Sequence, residues 1–414
     1  MKNNSVESIS ISEYNYHLPD ERIAKYPLAE RDQSKLLHYS NGAINIESFS
    51  DLPYLLPADS LMVFNNTRVI HARLLFQKPT GATIEVFCLS PHLPKDYAQS
   101  FEQTATNVWT CMVGNARRWK DESLILSLDS NGVTITLTAK KLLSEGQEHQ
   151  VAFSWDNPQY TFSEILEIAG NLPIPPYLNR PSEKSDEETY QTVYSHIEGS
   201  VAAPTAGLHF TDNVLQSLSN KNIERTEVTL HVGSGTFKPV KAEHIGEHEM
   251  HTELISVERT TIEKMLSNKN KLIVVGTTSL RTIESLYYIG VKMLKDKLTP
   301  TDDITVEQWE PYDDENNVYS AKEALSAILE YLKQHNLDVL IASTQIIIAP
   351  GYQFKFVDAL LTNFHQPQST LLLLVSAFVG KDWRNIYDFA LNNEFRFLSY
   401  GDSSLLWKKE SIVS

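Results

Sequence analysis

From Leu61 to Trp155 the chain reads as one short strand after another with no convincing helix between them, and this run restricts the fold more than any other feature. "LMVFNN" opens it. "ARLLFQK", the turn "PTG" and "ATIEVFCLS" read as a hairpin with Pro79 and Gly81 at its tip. "NVWTCMVG", then "SLILSLDSNGVTITLTA" with Asn131-Gly132 as a second hairpin turn, and "HQVAFSW" complete about six strands after Leu61. That number suits a small closed all-β barrel over residues 71–156.

After Trp155 the pattern changes to alternating helix and strand. "TFSEILEIAG" is a helix with Gly170 as its stop, and "TDNVLQSLSNKNI" is a helix capped by Thr211 or Asp212. "RTEVTLHV" and "KLIVV" are strands that run into the glycine-containing turns "GSGTF" and "GTTS". Because "LMVFNN" resembles these later strands, the fold class is α/β: a larger α/β domain with a mixed sheet, residues 1–70 and 157–414, carrying an inserted small all-β barrel, residues 71–156. A chain of 414 residues, 42% hydrophobic, is long enough for two cores.

Two cysteines, Cys88 and Cys111, are too few for a disulfide framework and lack the spacing of a zinc ribbon. The N-terminus has no apolar stretch of signal-peptide type, and the most apolar run, "TLLLLVSAFVG", is shorter than a membrane span. A cytoplasmic protein with no membrane partner is expected, as a monomer. The net charge of −16 opposes phosphate binding over the whole surface but leaves room for a local basic patch.

Five segments concentrate reactive side chains beside glycine or at strand ends, where α/β sheets bind ligands. "PTAGLHF" holds Thr205, Gly207 and His209 on a turn whose backbone N–H groups could meet a polar ligand, or which merely turns. "LHVGSGTF" follows His231 with Gly233, Gly235 and Thr236, which can form a nest of N–H groups or a plain turn. "GTTSLR" sets Thr277 and Thr278 at a helix start with Arg281 in its first turn. They suit a carboxylate or phosphate, or equally a simple cap with Arg281 on the solvated face. "HEMHTE" lacks the spacing of a helical zinc site, and a loop entering a strand would point His251 and Glu253 to one face as an acid/base pair. The fifth, "TNFHQPQST", contributes Asn363 and His365. Apart from these, "ARRWK" surrounds Trp119 with Arg117, Arg118 and Lys120, suited to phosphate contact and base stacking, or else an exposed strand end with the indole tucked inside.

Long strings in one order, among them "YNYHLPDERIAKYPLAERDQSKLL", "VFNNTRVIHARLL", "SVAAPTAGLHF", "TLHVGSGTFKPV", "VGTTSLRTIES", "TNFHQPQSTLLLLVSAFVG" and "RFLSYGDSSLL", resemble the S-adenosylmethionine:tRNA ribosyltransferase-isomerases of queuosine biosynthesis. The resemblance implies an α/β domain with an inserted β-barrel. It also implies transfer and isomerisation of the ribosyl group of S-adenosylmethionine onto 7-aminomethyl-7-deazaguanine at the tRNA wobble position, with release of adenine and methionine. Such chemistry needs a general base and acid but no metal or redox cofactor. His209 or His231 is then the base, and Glu253 with His251 the proton relay. Arg281 with the "GSGTF" nest binds the methionine carboxylate or a phosphate, and Tyr400 and Asp402 hold sugar hydroxyls or the deazapurine. Arg117, Arg118, Trp119 and Lys120 meet the tRNA anticodon loop. Two regions depart from the family pattern: "VGNARRWKDES" in the β segment and the long stretch from Val291 to Thr344. They leave open a paralogue that uses S-adenosylmethionine with a different amine acceptor, or a non-catalytic nucleic-acid-binding relative.

Overall fold

The computed structural model describes residues 4–120, 122–146, 148–231, 242–313 and 318–409. Its largest element is a ten-stranded mixed sheet. In spatial order the strands are Thr305–Val306, Val339–Thr344, Glu253–Glu258, Glu224–Leu230, Leu61–Asn65, Leu272–Val275, Ala359–Asn363, Ser403–Trp407, Lys35–Ser40 and Ala43–Ser48. The four central strands, from Glu224–Leu230 to Ala359–Asn363, are mutually parallel. Three of them are buried at every position, as near-continuous apolar runs must be when helices cover both faces.

Strand alternation divides these residues between two cores. Leu61, Val63, Leu272, Val274 and Leu360 face one, with the helices Gly276–Lys295, Ala321–Gln334 and Thr370–Val379. Met62, Phe64, Ile273, Val275 and Leu361 face the other, with Phe49, Phe210 and the helix Asp212–Asn220. Thr211 caps that last helix, its hydroxyl accepting from Val214 N–H.

The long stretch from Val291 to Thr344 enlarges the sheet. It supplies the end of the Gly276–Lys295 helix, the strands Thr305–Val306 and Val339–Thr344, and the helix Ala321–Gln334, which opens on a Ser320/Glu323 capping box.

A second sheet, antiparallel throughout, runs Gly170–Asn171, Arg73–Gln77, Thr83–Leu93, Thr106–Gly114, Glu148–Trp155, Val133–Glu145, Leu124–Ser130. It curls around its own core of Phe76, Trp109, Phe153 and the helix Phe162–Ala169. The sheet forms a half-barrel: among the described residues Leu124–Ser130 comes close to Arg73–Gln77, but no ladder joins them to close the expected barrel. Gly170, expected as a helix stop, also begins the seventh strand, because it leaves the helix in an extended conformation and pairs with Leu74. The packing of Phe162, Ile165 and Leu166 thus carries this core past residue 156. Cys88 and Cys111 face each other inside it as free, buried thiols.

Gly290 sits where the helices Gly276–Lys295 and Ala321–Gln334 touch, and a Cβ there would lie 2.2 Å from the Ala324 carbonyl oxygen. Gly290→Ala should therefore destabilise the protein by about 1–2 kcal/mol in urea denaturation. Helix propensity alone would stabilise it by about 1 kcal/mol, so the sign of the change decides whether the close approach is real.

Candidate active site

The sequence candidates from the α/β segments lie largely along a single edge of the ten-stranded sheet. The parallel central strands end there at Leu230, Asn65, Val275 and Asn363, and the strands antiparallel to them begin there at Glu253 and Ser403. His231, the start of the Gly276–Lys295 helix, Asn363 to His365, and Asp402 follow directly from those strand ends. Asn65 ties the middle of the edge together: its amide bonds both the N–H and the carbonyl of Leu230 and accepts from Thr67 N–H. It was not singled out in the sequence, where it is one polar residue closing an apolar strand.

At one end of the edge, His209 is embedded in a polar network. Thr205 Oγ1 donates to Asn363 Oδ1 at 3.2 Å, and Asn363 Nδ2 lies 3.3 Å from His209 Nε2. His209 Nδ1 lies 2.9 Å from the Ser34 hydroxyl, so this geometry assigns the proton to Nδ1 and makes Nε2 the acceptor. Phe49 packs against the ring. Burial lowers the His209 pKa to about 4, so the ring is neutral at pH 7. Both ring nitrogens are engaged. The turn itself offers less than expected, because the N–H groups of Gly207, Leu208 and Phe210 are taken by the carbonyls of Pro204, Thr205 and Gly207.

Beside this network a narrow cleft of about 90 Å³ is lined by Thr205, Thr277, Thr278, Asn363, His365 and Tyr177, among others. Three of the five expected segments therefore meet in one place. The Gly276–Lys295 helix opens onto the cleft with no side-chain cap: Ser279 Oγ bonds the Val275 carbonyl and Thr282 Oγ1 the Thr278 carbonyl, so the capping role expected for Thr278 or Ser279 is not filled. His365 Nε2 lies 3.0 Å from Thr362 Oγ1, and burial lowers its pKa to about 3.

At the other end, His231 lies in a much larger cleft of about 1430 Å³ between the two sheets, lined also by Tyr97, Asn66, Glu227, Thr229 and Ile341. The imidazole stacks on Tyr97 with centroids 3.9 Å apart and planes 6° from parallel. Burial lowers its pKa to about 4, opposed by the Gly199 backbone and the Asp96 carboxylate.

Arg281 is not on the solvated face, and its Nη2 is buried without a hydrogen-bond partner among the described residues. It forms a buried ion pair with Glu253, and its Nε donates to the Ile346 carbonyl at 3.1 Å. The pairing of Glu253 with His251 fails for the same reason and one more: the strand begins at Glu253, so its alternation does not extend back to His251, which is exposed.

Tyr400 and Asp402 are likewise engaged within the protein. The Tyr400 hydroxyl donates to Asp186 at 2.8 Å, and Asp186 also holds Arg180 at 2.7 Å. Asp402 accepts from the N–H groups of Lys35 and Arg396 and from the Arg396 guanidinium. Asp186, Arg180, Ser34 and Arg396 were missed in the sequence: Ser34 lies 175 residues from His209, and the Arg180–Asp186 and Arg396–Asp402 pairs, though only six residues apart, follow no helical or strand spacing.

Gly233, Gly235 and Thr236 lie outside the described residues. In the half-barrel Arg117, Arg118 and Lys120 are exposed, but Trp119 is 1% exposed with its indole N–H donating to the Glu122 carbonyl. The indole is thus unavailable for base stacking. Among the described residues no three His, Cys, Asp or Glu side chains gather in a metal-binding arrangement, and no helix is long and apolar enough to cross a membrane.

Two outcomes follow from this electrostatic arrangement. Glu253→Gln leaves the buried Arg281 charge unpaired and should cost about 3–5 kcal/mol in thermal or urea unfolding, much of it recovered when Arg281→Met is added. His209, His231 and His365 are held neutral well below the ordinary histidine pKa of 6.5. The unfolded chain therefore binds more protons than the folded one as pH falls below 6.5, and stability should drop from there toward pH 4. The urea midpoint should already be lower at pH 5 than at pH 7.5. A flat midpoint over that range would mean that the buried imidazoles take up protons as readily as exposed ones.

The chain is 27% identical to an S-adenosylmethionine tRNA ribosyltransferase from Thermotoga maritima, over 95% of this chain and 99% of that one, with a TM-score of 0.45. The queuosine biosynthesis protein family matches residues 11–406, nearly the whole chain, and this protein belongs to that family.

Proposed function

We propose that the protein transfers the ribosyl group of S-adenosylmethionine to the aminomethyl group of 7-aminomethyl-7-deazaguanine at the tRNA wobble position and isomerises it to the epoxycyclopentanediol of epoxyqueuosine. Adenine and methionine are released. In a queuosine biosynthesis protein, the observation that carries this reading is the alignment of Thr205, Thr277, Thr278, Asn363 and His365, on a small cleft, with His231, on a larger one, along a single edge at the carboxyl ends of the parallel strands.

The sulfonium of S-adenosylmethionine acidifies the adjacent 5′-carbon, and a positioned base removes a proton there: the electron pair forms a C4′–C5′ double bond, the bond from C4′ to the ring oxygen breaks, and that oxygen becomes the C1′ carbonyl as adenine leaves. His231 is the better base of the two candidates. It lines the large cleft as a neutral imidazole at pH 7, the form that accepts a proton, whereas both nitrogens of His209 are already bonded. His209 instead holds Asn363 in place. The Arg281–Glu253 pair fixes the edge beside His231.

The reaction requires neither a metal nor a redox cofactor. The half-barrel acts as an inserted domain, and its exposed Arg117, Arg118 and Lys120 contact phosphates of the anticodon loop. Both substrates place the enzyme in the cytoplasm. One observation favours a different amine acceptor: Val339 and Ile341, from the stretch that departs from the family pattern, form part of the wall of the large cleft.

Incubation with S-adenosylmethionine and tRNA carrying 7-aminomethyl-7-deazaguanine should release adenine and methionine together, without S-adenosylhomocysteine. His231→Ala should lose on the order of 10²–10⁴ in rate. Methyl transfer, or full activity in His231→Ala, would sink the mechanism; adenine release only with another amine would establish the second reading.

A further inference from the structure

We infer that Tyr97 is a positioning residue for His231: the half-barrel delivers the phenol ring against the imidazole at the floor of the large cleft, so the reactive orientation of His231 exists only while the two sheets are docked. The inference rests on the reading that His231 acts in the reaction.

His231 belongs to the ten-stranded sheet and Tyr97 to the half-barrel. Tyr97 opens the helix Tyr97–Phe101, between the strands Thr83–Leu93 and Thr106–Gly114. Asp96 caps that helix by accepting from Gln99 N–H at 2.9 Å, which fixes where the ring emerges. On its far side the ring meets Trp109 edge-on, with centroids 5.9 Å apart, and Trp109 is fully buried in the half-barrel core. Tyr97 is thus braced from behind and presents a flat face to the imidazole, 3.9 Å away.

Among the described residues, the Gly199 backbone is the other group that orients the His231 ring. The backbone N–H of His231 is held by the Leu254 carbonyl, but Nδ1 is buried without a hydrogen-bond partner among the described residues. Rotation of the imidazole is opposed by the stack and by the Gly199 backbone. Gly199 has φ +129°, and a Cβ there would lie 2.6 Å from His231 Nδ1 and 2.7 Å from Tyr97 Cδ1. Only glycine leaves room for the two rings together.

The charged groups around the pair are Asp96 ahead of the Tyr97 helix and Glu253 on the neighbouring strand, with Arg281 paired to Glu253. Burial, reinforced by Glu253, raises the Tyr97 pKa far above neutrality, so the phenol stays protonated and contributes geometry rather than proton transfer. The same enclosure keeps the His231 imidazole neutral.

The test uses the full chain, with Tyr97→Phe, Tyr97→Leu and Gly199→Ala. Tyr97→Phe keeps the stack and should stay within about twofold of the parent in kcat. Tyr97→Leu should lower kcat by about tenfold or more, through loss of orientation, while KM for S-adenosylmethionine changes by no more than about twofold. In proton NMR the His231 resonance, assigned with His231→Asn, should titrate closer to 6.5 in Tyr97→Leu than the parental value of about 4, and the acid limb of kcat should move up in parallel. Gly199→Ala drives a methyl group against both rings and should reproduce the kcat loss with Tyr97 intact, covering the case in which Tyr97→Leu does not fold. Parental kcat, pH profile and His231 titration in Tyr97→Leu would overturn the inference alone. Parental turnover in His231→Ala would overturn the reading beneath it.

Discussion

Burial of both faces of the central parallel strands is the constraint on which the rest of the structure depends. With helices and loops covering each face, a polar side chain in the middle of these strands would lose its water without gaining a partner. Polar groups are therefore displaced to the strand ends, and parallel pairing brings those ends to one edge. Asn65, His231, Gly276 and Asn363 lie there as neighbours although up to about 300 residues separate them in the chain.

The two ends of that edge differ in how their histidines are held. His209 is locked by Ser34 and Asn363 into a single tautomer, which serves to join the N-terminal segment, the "PTAGLHF" turn and the "TNFHQ" loop. His231 is held by stacking and backbone contacts, and it lines a cleft large enough for a nucleoside-sized ligand. Both rings are neutral for the same reason, desolvation, yet only one retains a nitrogen outside a hydrogen-bonded network. Between them and the outer strands, the Arg281–Glu253 pair keeps a buried charge satisfied where an unpaired one would be costly.

The half-barrel is more than an appendage, since Tyr97 and Asp96 approach the large cleft from it. On the opposite wall, the outer strand Val339–Thr344 contributes Val339 and Ile341. The cleft is therefore shaped by both sheets, and one of its walls comes from the long stretch that departs from the family pattern.

The sequence by itself determined most of the elements and their type, although the helix Tyr97–Phe101 lies inside a run that reads as strands alone. The apolar alternation of "ATIEVFCLS", the Asn131-Gly132 turn and the Thr211 cap are local signals whose physics acts within a few residues, and each produced the element it announced. The polar turns at strand ends were legible for the same reason. What lies between partners distant in sequence was decided only by the tertiary structure. Arg281 reads locally as a ligand-binding or solvated arginine, but its ion pair with a glutamate 28 residues earlier is buried, which excludes the solvated reading. Trp119 reads as a stacking platform until the half-barrel core encloses it. Tyr97 carries no signal in the sequence, because its role depends on a face presented across the gap between two sheets. Closure of the barrel is of the same kind, since strand pairing at its ends depends on sheet curvature rather than on any local pattern.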